Sequence, residues 1–214
     1  MNGPGGAAIL VAIGYLVGAV PIGLAVSRLV GGFDLRQYGS GRTGATNALR
    51  TLGTRWAVVV LVLDVLKGVI PVLVARALFR DQPAGAAWWV AAAAGLAAVI
   101  GHNWSAFIGF SGGRGVATSG GALLALAPAA MLAVVPIAGL VAWRTRFVSL
   151  GSLTAAGVAV VATTILAAAG IAAPAAPAFA LGAALLIAWS HRDNVARLRA
   201  GTERRLGERE VVGR

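Results

Sequence analysis

The run Gly39-Ser40-Gly41-Arg42-Thr43-Gly44-Ala45-Thr46-Asn47-Ala48-Leu49-Arg50 gathers glycines, hydroxyls, an amide and arginine between apolar stretches. A second run of the same kind, Gly112-Gly113-Arg114-Gly115-Val116-Ala117-Thr118, directly precedes a later apolar segment. Glycines let successive backbone N–H groups turn inward as an anion-binding nest, and arginine adds a charged fork that matches phosphate oxygens. A helix starting at Gly115 would add free N–H groups and a partial positive charge. The chemistry that fits is the handling of a phosphate-bearing substrate at a bilayer surface. Arginines alone have an ordinary explanation, because cytoplasmic loops of membrane proteins collect them. The density of glycine, hydroxyl and Asn47 goes beyond that explanation.

Three further groups carry polar side chains at the ends of apolar stretches. Gly101-His102-Asn103 precedes the second glycine run, and Arg146-Phe147-Val148-Ser149-Leu150-Gly151-Ser152 opens another apolar stretch. His191 and Asn194 stand three residues apart and so share one face of a short helix. Asp64 and Lys67 have the same spacing inside an apolar run. They read as an intrahelical ion pair that lowers the cost of inserting either charge and props the loops.

The elements that must position these groups are membrane helices. The chain of 214 residues is 58% hydrophobic and 12% charged, too apolar for a soluble surface. Its mean hydropathy is +0.84. The formal charge of +11 sits in loops and in the C-terminal region, beside apolar runs, where anionic headgroups account for it without nucleic acid. Cysteine is absent, which excludes disulfides, thiolate metal sites and a cysteine nucleophile. His102 and His191 are the only histidines, so no metal or cofactor is expected. Lys67 among so many arginines fits GC-rich coding and a bacterial host. No basic segment precedes the first apolar run, so that run is expected to remain as a span.

Apolar runs at 7–29, 56–79, 84–108, 120–143, 148–170 and 174–189 are candidate spans. Trp56, Trp143 and Trp189 near their ends read as interfacial anchors. Arg28, Arg36, Arg42, Arg50 and Arg55 place the first loop in the cytoplasm, and the arginines from Arg192 to Arg214 place the C-terminus there too. An odd number of crossings is therefore required. Pro128 and Pro136 interrupt 120–143, which predicts two short helical pieces there. The expected architecture is an all-α polytopic membrane protein with about seven transmembrane helical segments, N-terminus outside and C-terminus cytoplasmic. Five full spans with a re-entrant piece would place the loops equally well. Residues 1–203 read as one membrane-embedded domain and 204–214 as a solvated basic tail.

In this order the pieces resemble the bacterial integral-membrane glycerol-3-phosphate acyltransferases that use acyl phosphate as donor. The likeness rests on Gly39-Ser40-Gly41 with Gly44-Ala45-Thr46-Asn47 and Arg50, and on Leu63-Asp64 with Lys67-Gly68. It continues through Gly101-His102-Asn103 with Phe110, and Gly112-Gly113 with Gly115-Val116-Ala117-Thr118. Val148-Ser149-Leu150-Gly151-Ser152 follows, then His191 with Asn194, Arg197-Leu198 and Gly201-Thr202-Glu203. The resemblance implies seven membrane helices, an active site open to the cytoplasm of the inner membrane, and synthesis of lysophosphatidic acid for phospholipids. The chain departs from the family pattern at Arg42 (asparagine in the family), Ser105 (proline) and Arg114 (lysine).

On this reading Ser40, His102, His191 and Asn194 are the catalytic residues, while Ser40, Arg50, Arg114, His191 and Asn194 hold the acceptor phosphate, with Ser149 and Ser152 as further binding candidates. Gly39, Gly41, Thr46, Asn47, Gly112, Gly113, Gly115 and Thr118 bind phosphate too, as the glycine loops that would hold the second one. His102 and His191 are the candidate bases, although the substrate's own phosphate can accept the proton instead. The expected partners are acyl phosphate, glycerol 3-phosphate and membrane lipid. The rival readings are an organic-phosphate transporter and a diverged family member that binds lipid phosphate with weak activity. A transporter calls for inverted repeats and mid-bilayer polar groups, and only Asp64 and Lys67 approach the latter.

Overall fold

A computed structural model describes residues 3–82 and 85–208. Among these residues the chain is helical, with no strand beyond one isolated bridge between Ser105 and Ser111. The helices are α1 (Pro4–Ala19), α2 (Ile22–Gly31), α3 (Ala45–Leu52), α4 (Thr54–Leu78) and α5 (Ala86–Asn103). They continue as α6 (Val116–Leu126), α7 (Pro128–Thr145), α8 (Val148–Ala168), α9 (Ala176–Ser190) and α10 (Arg192–Arg199). The expected start of the third span at Ala84 lies outside the described residues.

Small residues set the packing, because in lipid the attraction between helices comes from close van der Waals contact. A Cβ on Gly18 would meet the backbone of Ala98, and one on Gly101 would meet Tyr15, which locks α1 against α5. Likewise Gly68 faces the backbone of Thr118 and Ala122, and Gly121 faces Val65, which locks α4 against α6. Val72, Leu123, Leu126 and Phe179 fill the space between these pairs. In contrast α7 lies at the periphery and presents Leu132, Val135 and Leu140 outward.

The run 7–29 is not one helix. It breaks between α1 and α2, because Pro21 lacks an N–H and drives Val20 into extended backbone. Carbonyls freed inside a bilayer need new donors. Ser105 Oγ donates to the Ala19 carbonyl at 2.5 Å, and Lys67 Nζ donates to that of Val20 at 2.9 Å. Lys67 also lies 3.0 Å from Asp64 Oδ1 and 3.1 Å from His102 Nδ1. The ion pair expected within α4 is thus also a strut from α4 to the first span and to α5.

The run 120–143 is likewise two helices, parted at Ala127 where Pro128 begins α7. Pro136 sits inside α7 without ending it. Among the described residues five stretches are long and apolar enough to cross a membrane: Pro4–Gly31, Thr54–Leu78, Ala86–Asn103, Pro128–Thr145 and Val148–Ala168. The apolar helices Val116–Leu126 and Ala176–Ser190 are shorter. At 1.5 Å per residue the 11 residues of α6 extend only about 16 Å. Trp56, Trp143 and Trp189 each lie beneath the guanidinium of a neighbouring arginine, at 5.1, 5.4 and 5.0 Å from the ring centre. Such pairs suit the headgroup region.

Candidate active site

Asn47 is the spine of the first glycine loop. Its Nδ2 donates to the carbonyls of Leu35, Tyr38 and Arg42 at 3.2, 3.1 and 2.8 Å, while Oδ1 accepts from the Ser40 N–H at 3.0 Å. Expected as a phosphate donor, this amide instead has its hydrogen bonds committed within the loop. Gly39 is required beside it: φ is 60° there, and a Cβ would collide with Asn47 Oδ1. Before the loop, Arg36 pairs with Asp34 at 2.7 Å and holds its carboxyl at about 2 through that hydrogen bond. Arg36 also reaches the Ile108 carbonyl and Ser111 Oγ, both at 3.3 Å, and so ties the first loop to the second.

The second loop folds back on the end of α5. Gly113 N–H donates to the His102 carbonyl at 3.0 Å, and a Cβ on Gly113 would strike His102 Nε2. Gly112 packs on the carbonyls of His102 and Asn103. These glycines, expected to face phosphate, serve close packing instead. His102 is buried between Lys67 and Asp64 on its Nδ1 side and Gly113 on the other. Gly115, at φ 74°, then turns the chain into α6 with no side chain capping that helix. Thr118 is fully buried behind it.

Arg114 leaves the loop toward the end of α9. Its Nε donates to the Ser190 carbonyl at 3.2 Å and its Nη2 to Asp193 Oδ2 at 2.7 Å. Asp193 is shared with Arg197 at 3.3 Å. Burial and the two guanidinium groups pull in opposite directions on Asp193, and the guanidiniums win, holding its carboxyl below the usual range. The turn from α9 to α10 is fastened by Glu203, which accepts from Asn194 Nδ2 at 2.6 Å, Ser149 Oγ at 2.8 Å and Arg197 Nε at 2.9 Å. Burial pushes the Glu203 carboxyl up, but those three hydrogen bonds outweigh it and leave the pKa lowered. Beyond it, Leu206 and Arg146 exchange hydrogen bonds at 2.7 and 2.8 Å, so the tail lies across the α7–α8 turn. Residues 209–214 of the expected tail lie outside the described residues.

His191 is 3% exposed, and its Nδ1 lies 2.9 Å from the Ile187 carbonyl, an acceptor that requires Nδ1 to carry the proton. Burial pushes its pKa down to about 4, with Arg114 contributing in the same direction. The ring is therefore neutral at physiological pH, with the lone pair on Nε2.

These parts enclose a cavity of about 240 Å³. Ser40, Thr46, Asn47, Arg50, His102, Arg114, Gly115, Ser149, Ser152, His191 and Asn194 all line it. A smaller cavity of about 140 Å³ shares Ser40, Arg50, Arg114, Asn194 and Glu203 and adds Gly39, Arg197 and Arg204. A third, of about 490 Å³, is walled by apolar side chains of α6 to α9 and shares Leu61, Val116, Val148 and Ser152 with the first. Gly41, Gly112, Gly113 and Thr118 line none of the three. Arg42, Asp193, Arg197 and Glu203 were not singled out as site residues by sequence. Glu203 follows a glycine turn nine residues after Asn194, and only folding shows that the carboxylate returns to it. Among the described residues no cluster of histidine or carboxylate side chains could hold a metal.

Known proteins are similar to this chain over nearly its whole length. A chain of Halalkalibacterium halodurans described as glycerol-3-phosphate acyltransferase is 45% identical over 94% of this chain and 96% of its own. One of Thermus thermophilus with the same description is 49% identical over 92% and 94%. A crystal structure of PlsY, an integral membrane glycerol 3-phosphate acyltransferase in its glycerol 3-phosphate form, superposes with a TM-score of 0.83 at 38% identity. That match covers 94% of this chain and 96% of PlsY. A second PlsY structure, in its lysophosphatidic acid form, gives a TM-score of 0.79 at 36% identity, covering 95% and 96%. The sequence model described as glycerol-3-phosphate acyltransferase matches residues 8–201, and the chain belongs to that family.

Proposed function

We propose that this protein transfers an acyl group from acyl phosphate to glycerol 3-phosphate, giving lysophosphatidic acid and inorganic phosphate. The observation that carries this reading is the joining of an arginine-lined polar cavity to an apolar one at Leu61, Val116, Val148 and Ser152. A phosphate head on a long acyl chain fits that shape. The smaller cavity, with Ser40, Arg50, Arg114, Asn194 and Arg204, takes the acceptor phosphate. The larger takes the phosphate of the donor at the uncapped N-termini of α3 and α6, which Gly44 and Gly115 precede.

Acyl phosphate is already an activated anhydride, so the site has to orient and stabilise rather than form a covalent intermediate. The primary hydroxyl of glycerol 3-phosphate attacks the acyl carbon, the bond from that carbon to the phosphate oxygen breaks, and phosphate leaves. His191 Nε2 and Asn194 Oδ1, which is buried without a protein partner among the described residues, can accept hydrogen bonds from the glycerol hydroxyls. With its pKa near 4, His191 is a weak base at neutral pH. The hydroxyl proton passes to a phosphate oxygen of the donor. His102, held by Lys67 and Gly113, supports the second loop.

A consequence concerns pH. Glycerol 3-phosphate is a phosphate monoester that titrates near pH 6, so its kcat/KM should fall as pH drops through about that value and the acceptor loses charge. His191→Gln should lower the rate by about tenfold, through a lost hydrogen bond, while leaving that acidic limb where it is. A limb that disappears in the variant would make His191 the base.

The arrangement also supports the orientation. The 39–50 loop, the 112–118 loop, the α7–α8 turn and the His191 region share one cavity, so they belong on one membrane face. With their arginines that face is cytoplasmic in the bacterial inner membrane, and α6 and α9 complete seven segments with the N-terminus outside. Single cysteines at 41, 145 and 205 should all react only from the cytoplasmic side. Labelling at 145 from the periplasm contradicts this topology.

The test of the activity is purified protein supplied with acyl phosphate and glycerol 3-phosphate, and separately with acyl-CoA. Lysophosphatidic acid should form from the first donor alone. Uptake of glycerol 3-phosphate into sealed vesicles without product would instead identify a transporter.

A further inference from the structure

Arg42 lines the larger cavity and is absent from the lining of the smaller one. Its backbone carbonyl accepts from Asn47 at 2.8 Å, which fixes the residue in the loop. Its guanidinium, in contrast, has no hydrogen bond or ion pair among the described residues. The neighbouring cations differ in this respect. Arg114 is bound to Ser190 and Asp193, and Arg197 to Asp193 and Glu203. Arg42 stands close enough to act on the charges of Arg114 and Asp193. It is only half-buried, so its five N–H donors are not stranded, and the nearby carboxylate of Asp193 is paired with Arg114 and Arg197 instead.

Arg42 shares the larger cavity with Gly44, Ala45 and Thr46 at the start of α3 and Gly115, Val116 and Ala117 at the start of α6. Neither helix has a side-chain cap. Two open helix starts and an unpaired guanidinium therefore line one cavity, and Val116 at the start of α6 also lines the apolar one. An anion there, with its acyl chain in the apolar cavity, satisfies all three. The smaller cavity adds Arg197 and Arg204, which the larger one lacks, for the acceptor phosphate.

We infer that Arg42 is a donor-specificity residue, gripping the phosphate of acyl phosphate and holding it as the leaving group departs. The inference rests on the proposed acyl transfer and adds to it an assignment of the two phosphates to different arginines. Arg42 contributes to donor binding in the ground state and, because charge on the phosphate grows as the anhydride bond breaks, to the transition state as well.

The test uses the purified full-length protein with Arg42→Asn, Arg42→Gln and Arg42→Lys. Loss of a charged hydrogen bond at a half-exposed site should raise the KM for acyl phosphate about tenfold in the neutral variants. The KM for glycerol 3-phosphate should stay within about twofold, and Arg42→Lys should recover most of the loss. Inorganic phosphate, the product, should inhibit competitively against acyl phosphate, with its inhibition constant raised in parallel. An unchanged donor KM, or equal rises for donor and acceptor, overturns the assignment. Calorimetric titration with inorganic phosphate reads the same seat without turnover. Equal affinity in wild type and Arg42→Asn overturns the inference even if the wild type transfers no acyl group. Conversely, an inactive wild type that loses phosphate affinity on Arg42→Asn sinks the acyl-transfer reading while leaving the anion seat in place.

Discussion

Lys67→Met should destabilise the folded protein by about 3–5 kcal/mol, the usual cost of breaking a buried ion pair from one side. Asp64 is 1% exposed and would keep an uncompensated charge among apolar helices. The Val20 carbonyl would lose its charged donor at the same time and keep only the Ile22 N–H at 3.0 Å. His102 would lose the contact that steadies the end of α5. The loss should appear as a large fall in folded yield and in the denaturation midpoint in detergent. A double variant, Asp64→Asn with Lys67→Met, should recover part of it, since the stranded charge is gone while the contacts of Lys67 with the Val20 carbonyl and His102 are still missing. Stability within about 1 kcal/mol of wild type in Lys67→Met would show that this strut holds nothing.

Arg114→Ala should lower kcat/KM for glycerol 3-phosphate by about ten- to a hundredfold, corresponding to one charged hydrogen bond. Two of its nitrogens are committed to Ser190 and Asp193, which leaves Nη1 to reach the shared wall of the two polar cavities. Arg114→Lys keeps the charge but cannot span the Ser190 carbonyl, Asp193 and a phosphate in one plane. It should therefore fall between wild type and alanine. If neutral replacements match wild type, acceptor binding does not run through the second loop. If lysine is as inactive as alanine in a folded protein, the site depends on the guanidinium fork that Asp193 holds.

Much of the architecture was readable from residue types alone. Apolar runs of membrane length gave the all-helical class, and Pro128 gave the division between α6 and α7 because a missing N–H acts locally. Pro21 acts in the same local way, yet the donors that tolerate it, Lys67 and Ser105, are distant in sequence and meet it only through α1–α4–α5 packing. The glycine loops announced anion chemistry, but type does not give direction. Asn47 turns inward as the loop's spine, and Gly112 and Gly113 pack on His102. Ser40, Arg50, Arg114, Ser149, His191 and Asn194 come together from distant segments to line one cavity. Glu203 was harder to foresee, since a carboxylate beside a phosphate site is tolerable only once Asn194, Ser149 and Arg197 have satisfied it.

The central claim is that donor and acceptor phosphates occupy adjoining parts of one basin together, so that the acyl group passes directly between them. Initial rates measured over a matrix of acyl phosphate and glycerol 3-phosphate concentrations test this most directly. Intersecting double-reciprocal lines are predicted, with no release of phosphate from acyl phosphate until the acceptor is added. Parallel lines, with a phosphate burst in the absence of acceptor, would mean that the protein is itself acylated and would contradict the account.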